Sequence, residues 1–134
     1  MKKIVICASA IFYQEAQAWK SKLEQQGYEV IRTIQKIDGG NLEQYRITHS
    51  EHYSKIADCD TVFVLNLEKH GRDGYVGPSV FAEIAFAIGL NVALNKNIEI
   101  FYLKQWPDDL PYSDELDKWQ KLGWLQLWLP ATMV

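Results

Sequence analysis

Cysteine is scarce in this chain. Cys7 and Cys59 are the two present among 134 residues, and both lie in apolar stretches. Thiols so few and so placed read as reduced core residues, which argues against a disulfide-built scaffold or a cysteine-rich metal centre. Charge of one sign is lacking as well. A net charge of -3 provides no broad positive field to hold a phosphate backbone, so nucleic acid polymers are not expected as partners. Long hydrophobic runs are missing too. Met1-Lys2-Lys3 leads into about seven apolar residues, too few for a signal-peptide core or a bilayer crossing. The expectation is a cytoplasmic protein with no membrane partner.

What is present is the balance of an ordinary globular domain, 48% hydrophobic and 23% charged. The length fits one core, and a single domain over residues 1–134 is expected. Five Trp and seven Tyr exceed what such a core needs. Core burial is the common use of aromatics, and a buried interface or a pocket for a planar ligand is the other.

The pattern along the chain alternates strands and helices. Lys3 to Ala8 and Thr61 to Asn66 are continuous apolar runs, as required of strands covered on both faces of a parallel sheet. Tyr28 to Thr33 and Ile98 to Leu103 read as two more strands. Ala16, Trp19 and Leu23 recur at helical spacing between Tyr13 and Gln26, and Gly27 follows where a helix ends. Asp38-Gly39-Gly40-Asn41 marks a turn within a loop from Gln35 to Arg46. Thr48 with Glu51 fits a capping box opening a short helix that ends near Asp58, with Tyr53 and Ile56 toward the core. Val80 to Leu94 is apolar almost all round and reads as a buried helix. Ser113 is the expected N-cap of a helix through Lys121, and Gly123 to Leu129 reads as a short strand or an interface segment. Together these describe an α/β, doubly wound, mainly parallel five-stranded sheet of flavodoxin or Rossmann-like type. The expected order is 2-1-3-4-5, with helices on both faces. Ligands bind such sheets at the carboxyl ends of the strands where the winding reverses, here Ala8 to Phe12 and Asn66 to Ser79.

Several residues near that crevice bear chemistry. Glu83 is a carboxylate in the opening turns of an apolar helix, where a charge is costly unless it is used or paired. The bland alternative is a Glu held by the positive helix end. Gly77-Pro78-Ser79 gives backbone amides and a hydroxyl suited to an anion at a helix N-terminus, or simply a turn. Ser9 fits beside a sugar or phosphate, and Phe12 fits equally over a nucleobase or in the core. His49, Glu51 and His52 lack a fourth ligand and read as a solvated helix face, so no metal and no cofactor are expected. No Ser/His/Asp or Cys/His arrangement stands out.

Three blocks carry a family resemblance: Lys3 to Val30, Ala57 to Asn66, and the Gly77 to Ala87 helix start with its Glu. On these the chain resembles the nucleoside 2-deoxyribosyltransferase-like superfamily over roughly its first hundred residues. The Asn66 to Glu83 loop looks closest to an uncharacterised branch of it. The resemblance implies a nucleoside or nucleotide N-glycosidic-bond transferase or hydrolase with Glu83 as the catalytic nucleophile. It places Asn66, Asp73 and Tyr75 against the sugar or base, beside Ser9, Phe12, Gly77 and Ser79. It also implies a homodimer or higher homo-oligomer in which one subunit completes another's pocket and gives the tail tryptophans a use. The alternative is a non-catalytic nucleotide-binding or sensing module on the same fold.

Overall fold

The computed structural model describes residues 1–129. Its five strands are β1 (Lys3–Cys7), β2 (Glu29–Arg32), β3 (Thr61–Val64), β4 (Glu99–Tyr102) and β5 (Gln126–Leu127). They form one sheet in the order β2-β1-β3-β4-β5, and every neighbouring pair is parallel. The helices are α1 (Tyr13–Gln25), α2 (Leu42–Ala57), α3 (Pro78–Leu94) and α4 (Ser113–Lys121). This is the doubly wound α/β architecture that the alternating apolar runs require, with the final strand reduced to two residues at the sheet edge.

Side chains alternate across each strand, and the two faces bury different helices. Ile4, Ile6, Phe63, Leu65 and Phe101 face α1 through Ala16 and Leu23, with Trp128 closing that side. Phe63 is fully buried there, its ring 4.9 Å from Trp19 and 5.3 Å from Trp128. Deleting such a ring typically costs about 3–5 kcal/mol. The opposite face presents Val5, Cys7, Val62, Val64, Ile100 and Tyr102. Onto it pack Ile56 of α2, Ile84 and Ala87 of α3, and Leu116 and Trp119 of α4. The strand register sets Cys7 beside Val64, and Val64 beside Tyr102. The thiol therefore lies under the α2–α3 layer, at the carboxyl end of β1.

Two helix starts depart from the sequence expectation. Helix α2 begins at Leu42 rather than near Thr48, because Asn41 is its cap: the Asn41 Oδ1 accepts from the Gln44 amide at 3.0 Å. Gln44 in turn accepts from the Asp38 amide at 2.9 Å, so the Asp38–Asn41 turn and the first helical turn are built together. Thr48 and Glu51 are mid-helix. Their partner is Arg32 of β2, which donates to the Thr48 carbonyl at 3.2 Å and to the Glu51 carboxylate at 3.1 Å. Ser113 is the first residue of α4, not its cap. Its hydroxyl accepts from the Leu110 amide and donates to the Pro107 carbonyl, which stitches the preceding turn.

The tail tryptophans are mostly core. Trp106, Trp119 and Trp128 are buried, whereas Trp124 keeps 40% of its surface exposed. Among the described residues, no helix is long and apolar enough to cross a membrane.

Candidate functional site

The crevice at the sheet's switch point is a cavity of about 550 Å³, within the range of small-molecule sites. Its wall takes Ser9 from the turn after β1, Ile34, Gln35, Ile37 and Gly39 from the loop after β2, and Lys69 from the loop after β3. Helix α2 contributes Tyr45, His49 and His52, and the start of α3 contributes Gly77, Ser79 and Glu83. Lys69 Nζ donates to Ser9 Oγ at 2.8 Å, joining the two loops across the reversal of winding. The Tyr45 and His49 rings stack at 3.8 Å on the α2 side and give the cavity a planar aromatic wall.

At the floor, three buried side chains from three elements converge. His52 of α2 has its Nε2 3.3 Å from the Cys7 sulfur and 3.6 Å from Glu83 Oε1. All three residues are at least 93% buried, with exposures of 0% for Cys7, 6% for His52 and 7% for Glu83. Burial dictates their protonation. The Glu83 carboxyl is raised from 4.5 to about 7 by desolvation, opposed by a hydrogen bond with Cys7. His52 is lowered from 6.5 to about 4, first by burial and then by the charges of Arg32 and His49. Burial and the neighbouring Glu83 push the Cys7 thiol well above its ordinary value. Near neutral pH the 3.6 Å contact is therefore a neutral imidazole against a partly protonated carboxyl, not an ion pair.

Of the residues expected at the site, Ser9, Gly77, Ser79 and Glu83 line the cavity, and Phe12, Asn66, Asp73 and Tyr75 do not. Phe12 is buried in the α1-side core with Ile6 and Leu23. Asn66 is 2% exposed and uses its whole amide on the backbone. Its Oδ1 accepts from the Leu103 and Lys104 amides at 3.0 and 3.1 Å, and its Nδ2 donates to the carbonyls of Gly74 and Lys104. Asn66 thus ties the end of β3 and its loop to the end of β4. Asp73 pairs with Lys104 at 3.0 Å near the surface, and Tyr75 lies edge-on to His70 at 5.4 Å.

The expectation of a solvated face fails for His52, and that of a plain core thiol is incomplete for Cys7. In α2, Tyr45, His49, His52 and Ile56 fall at helical spacing on one stripe, so His52 shares the buried side of Ile56. That stripe was the available signal for His52, Tyr45 and His49. Cys7 and Lys69 carried none, because their proximity to the site is set by strand register and loop path.

A scan against models of known protein families and a search of curated proteins each found no match to this chain.

Proposed function

We propose that the chain acts on the N-glycosidic bond of a nucleoside or nucleotide, as a transferase or hydrolase, with Glu83 as nucleophile. The observation that carries this reading is the Glu83 carboxylate on the wall of a nucleoside-sized cavity at the switch point of the sheet. In the first step a Glu83 oxygen bonds to the anomeric carbon while the bond to the base breaks and its electron pair leaves with the base. In the second step an acceptor base or water attacks the same carbon and frees the carboxylate. The Tyr45–His49 stack offers a planar face to a base, and Ser9, Ser79 and Lys69 offer polar contacts to a sugar or phosphate. The resemblance of the Gly77 to Ala87 block to the deoxyribosyltransferase-like superfamily supports the same assignment.

Only the ionised carboxyl is nucleophilic, so a group titrating at about 7 predicts base release that rises with pH through about 7 and then levels. The protein is incubated with deoxynucleosides, nucleotides and NAD, and the products are followed as free base and as a sugar adduct on Glu83 by peptide mass spectrometry. Glu83→Ala is expected to abolish both. Equal behaviour of wild type and Glu83→Ala, with no base released by either, overturns the enzyme reading.

One observation favours a second reading, a non-catalytic nucleotide-binding or sensing module. Asn66, Asp73 and Tyr75, the residues implied beside the sugar or base, are engaged away from the cavity. Saturable nucleotide binding without turnover in the same panel is the result that selects it.

A further inference from the structure

The glycosidic reading uses Glu83 and leaves Cys7 and His52 unexplained. A thiol, an imidazole nitrogen and a carboxylate oxygen are the donors of catalytic and structural zinc sites. Here one of each is brought to a single point by β1, α2 and α3, with the three donor atoms all within 4.8 Å of one another. We propose that Cys7, His52 and Glu83 form a site for one borderline-soft divalent cation of the zinc class, with its fourth position open to the cavity.

Geometry supports the assignment. Zinc distances of about 2.3 Å to sulfur and about 2.0–2.1 Å to nitrogen and oxygen, in a tetrahedron, separate sulfur from nitrogen by about 3.6 Å and nitrogen from oxygen by about 3.4 Å. The observed separations are 3.3 and 3.6 Å, so little motion is needed to close this part of the shell. Each donor stands on a regular element rather than a loop, and the elements are locked by the shared core of Val5, Ile56 and Ile84. His52 and Glu83 are part of the cavity wall and Cys7 lies behind them, which gives the ion a path in and leaves its outer position toward water or a ligand.

Charge and donor type narrow the occupant. A thiolate and a carboxylate balance one dication, so the loaded site is neutral, as a buried site must be. The metal-free site reaches neutrality by holding protons. On binding, the Cys7 thiol proton passes to solvent, together with the carboxyl proton wherever Glu83 carries one, and the cation takes their place. A sulfur donor and a three-residue set disfavour magnesium and calcium, which require mostly oxygen ligands in larger number.

This inference goes beyond the glycosidic reading and does not depend on it. The two meet at Glu83, since a carboxylate committed to a cation is not free to attack an anomeric carbon. Cobalt(II) is titrated into the full chelator-treated protein. One equivalent is expected to give the intense visible bands of four-coordinate cobalt and a thiolate-to-cobalt charge-transfer band, both removed by zinc. Cys7→Ser should abolish the charge-transfer band, His52→Gln and Glu83→Gln should each weaken binding by at least about tenfold, and Cys59→Ser should change nothing. Circular dichroism checks each variant for folding. X-ray absorption of the zinc-loaded wild type is independent of any variant and should show one sulfur among nitrogen and oxygen neighbours. Absence of a charge-transfer band, its survival in Cys7→Ser, or a zinc shell without sulfur overturns the proposal. Base release by the chelated protein tests the glycosidic reading separately, so either can fail alone.

Discussion

Removing either buried titratable group at the cavity floor should unmask a pH dependence of stability that the wild type conceals. In metal-free protein Glu83 titrates at about 7 against an ordinary 4.5, and His52 at about 4 against an ordinary 6.5. Each gap spans about 2.5 pH units, which at about 1.4 kcal/mol per unit is about 3–4 kcal/mol. The signs are opposite. The raised carboxyl favours the folded state fully below pH 4.5, and that contribution is lost as pH climbs through about 7. The lowered imidazole contributes fully above pH 6.5, and its share is lost as pH falls through about 4. Between about pH 4.5 and 6.5 the two slopes cancel. The first cause of each shift is burial rather than the other partner, so each should survive deletion of its neighbour. Urea unfolding from about pH 4 to 7.5, in chelator, gives the stability of wild type, Glu83→Gln and His52→Gln. Relative to wild type, Glu83→Gln should gain about 3 kcal/mol between about pH 4.5 and 7. His52→Gln should lose about the same between about pH 4 and 6.5. Subtracting the wild-type curve removes the titrations common to all three proteins. Three parallel curves, within about 0.5 kcal/mol, would refute the assignment of buried, oppositely shifted groups.

Two further predictions concern the frame of the cavity. Asn66→Asp keeps the side-chain volume but turns an acceptor toward the Gly74 and Lys104 carbonyls, and a loss of about 3 kcal/mol or more is expected in chemical denaturation near pH 7. A loss under about 1 kcal/mol would mean that the four amide bonds do not fix the loop. Gly74→Ala should cost about 3 kcal/mol or more, because its φ is +74° and a Cβ there would stand 2.1 Å from the Gln105 carbonyl oxygen. Gly71→Ala, at φ +70° with open space around it, should cost only the backbone penalty of about 1–2 kcal/mol. The difference between the two melting temperatures isolates the steric clash.

The sheet was readable because β1 and β3 are continuous apolar runs and glycine follows α1, signals that tertiary context did not override. The start of α2 was hidden. Leu42 and Ile47, five residues apart and both exposed, share no face that would mark the first turns as helical, while Thr48 and Glu51 imitated a cap although they answer to Arg32 across the fold. Glu83 stood out because a carboxylate in an apolar helix is conspicuous. Its neighbours did not, since Cys7 and His52 are 45 residues apart and meet only through packing. Asn66 at a strand end looked like a ligand contact, but a buried amide with four backbone partners within reach serves the scaffold first. Phe12 was open between ring platform and core, and the packing of α1 decides for the core.

The convergence of Cys7, His52 and Glu83 also fixes when the site exists during folding. Its donors come from the first strand, the second helix and the third helix, so neither a nascent chain that stops before α3 nor a loosened intermediate presents them together. Any ligand that needs all three recognises the packed arrangement of β1, α2 and α3 and not the unfolded chain. Occupation therefore raises global stability by mass action, by about 2.7 kcal/mol at a concentration about a hundredfold above the dissociation constant. A thermal-shift screen across cations, bases, nucleosides and nucleotides thus reads out occupancy through the whole cooperative unit, whatever chemistry the site performs.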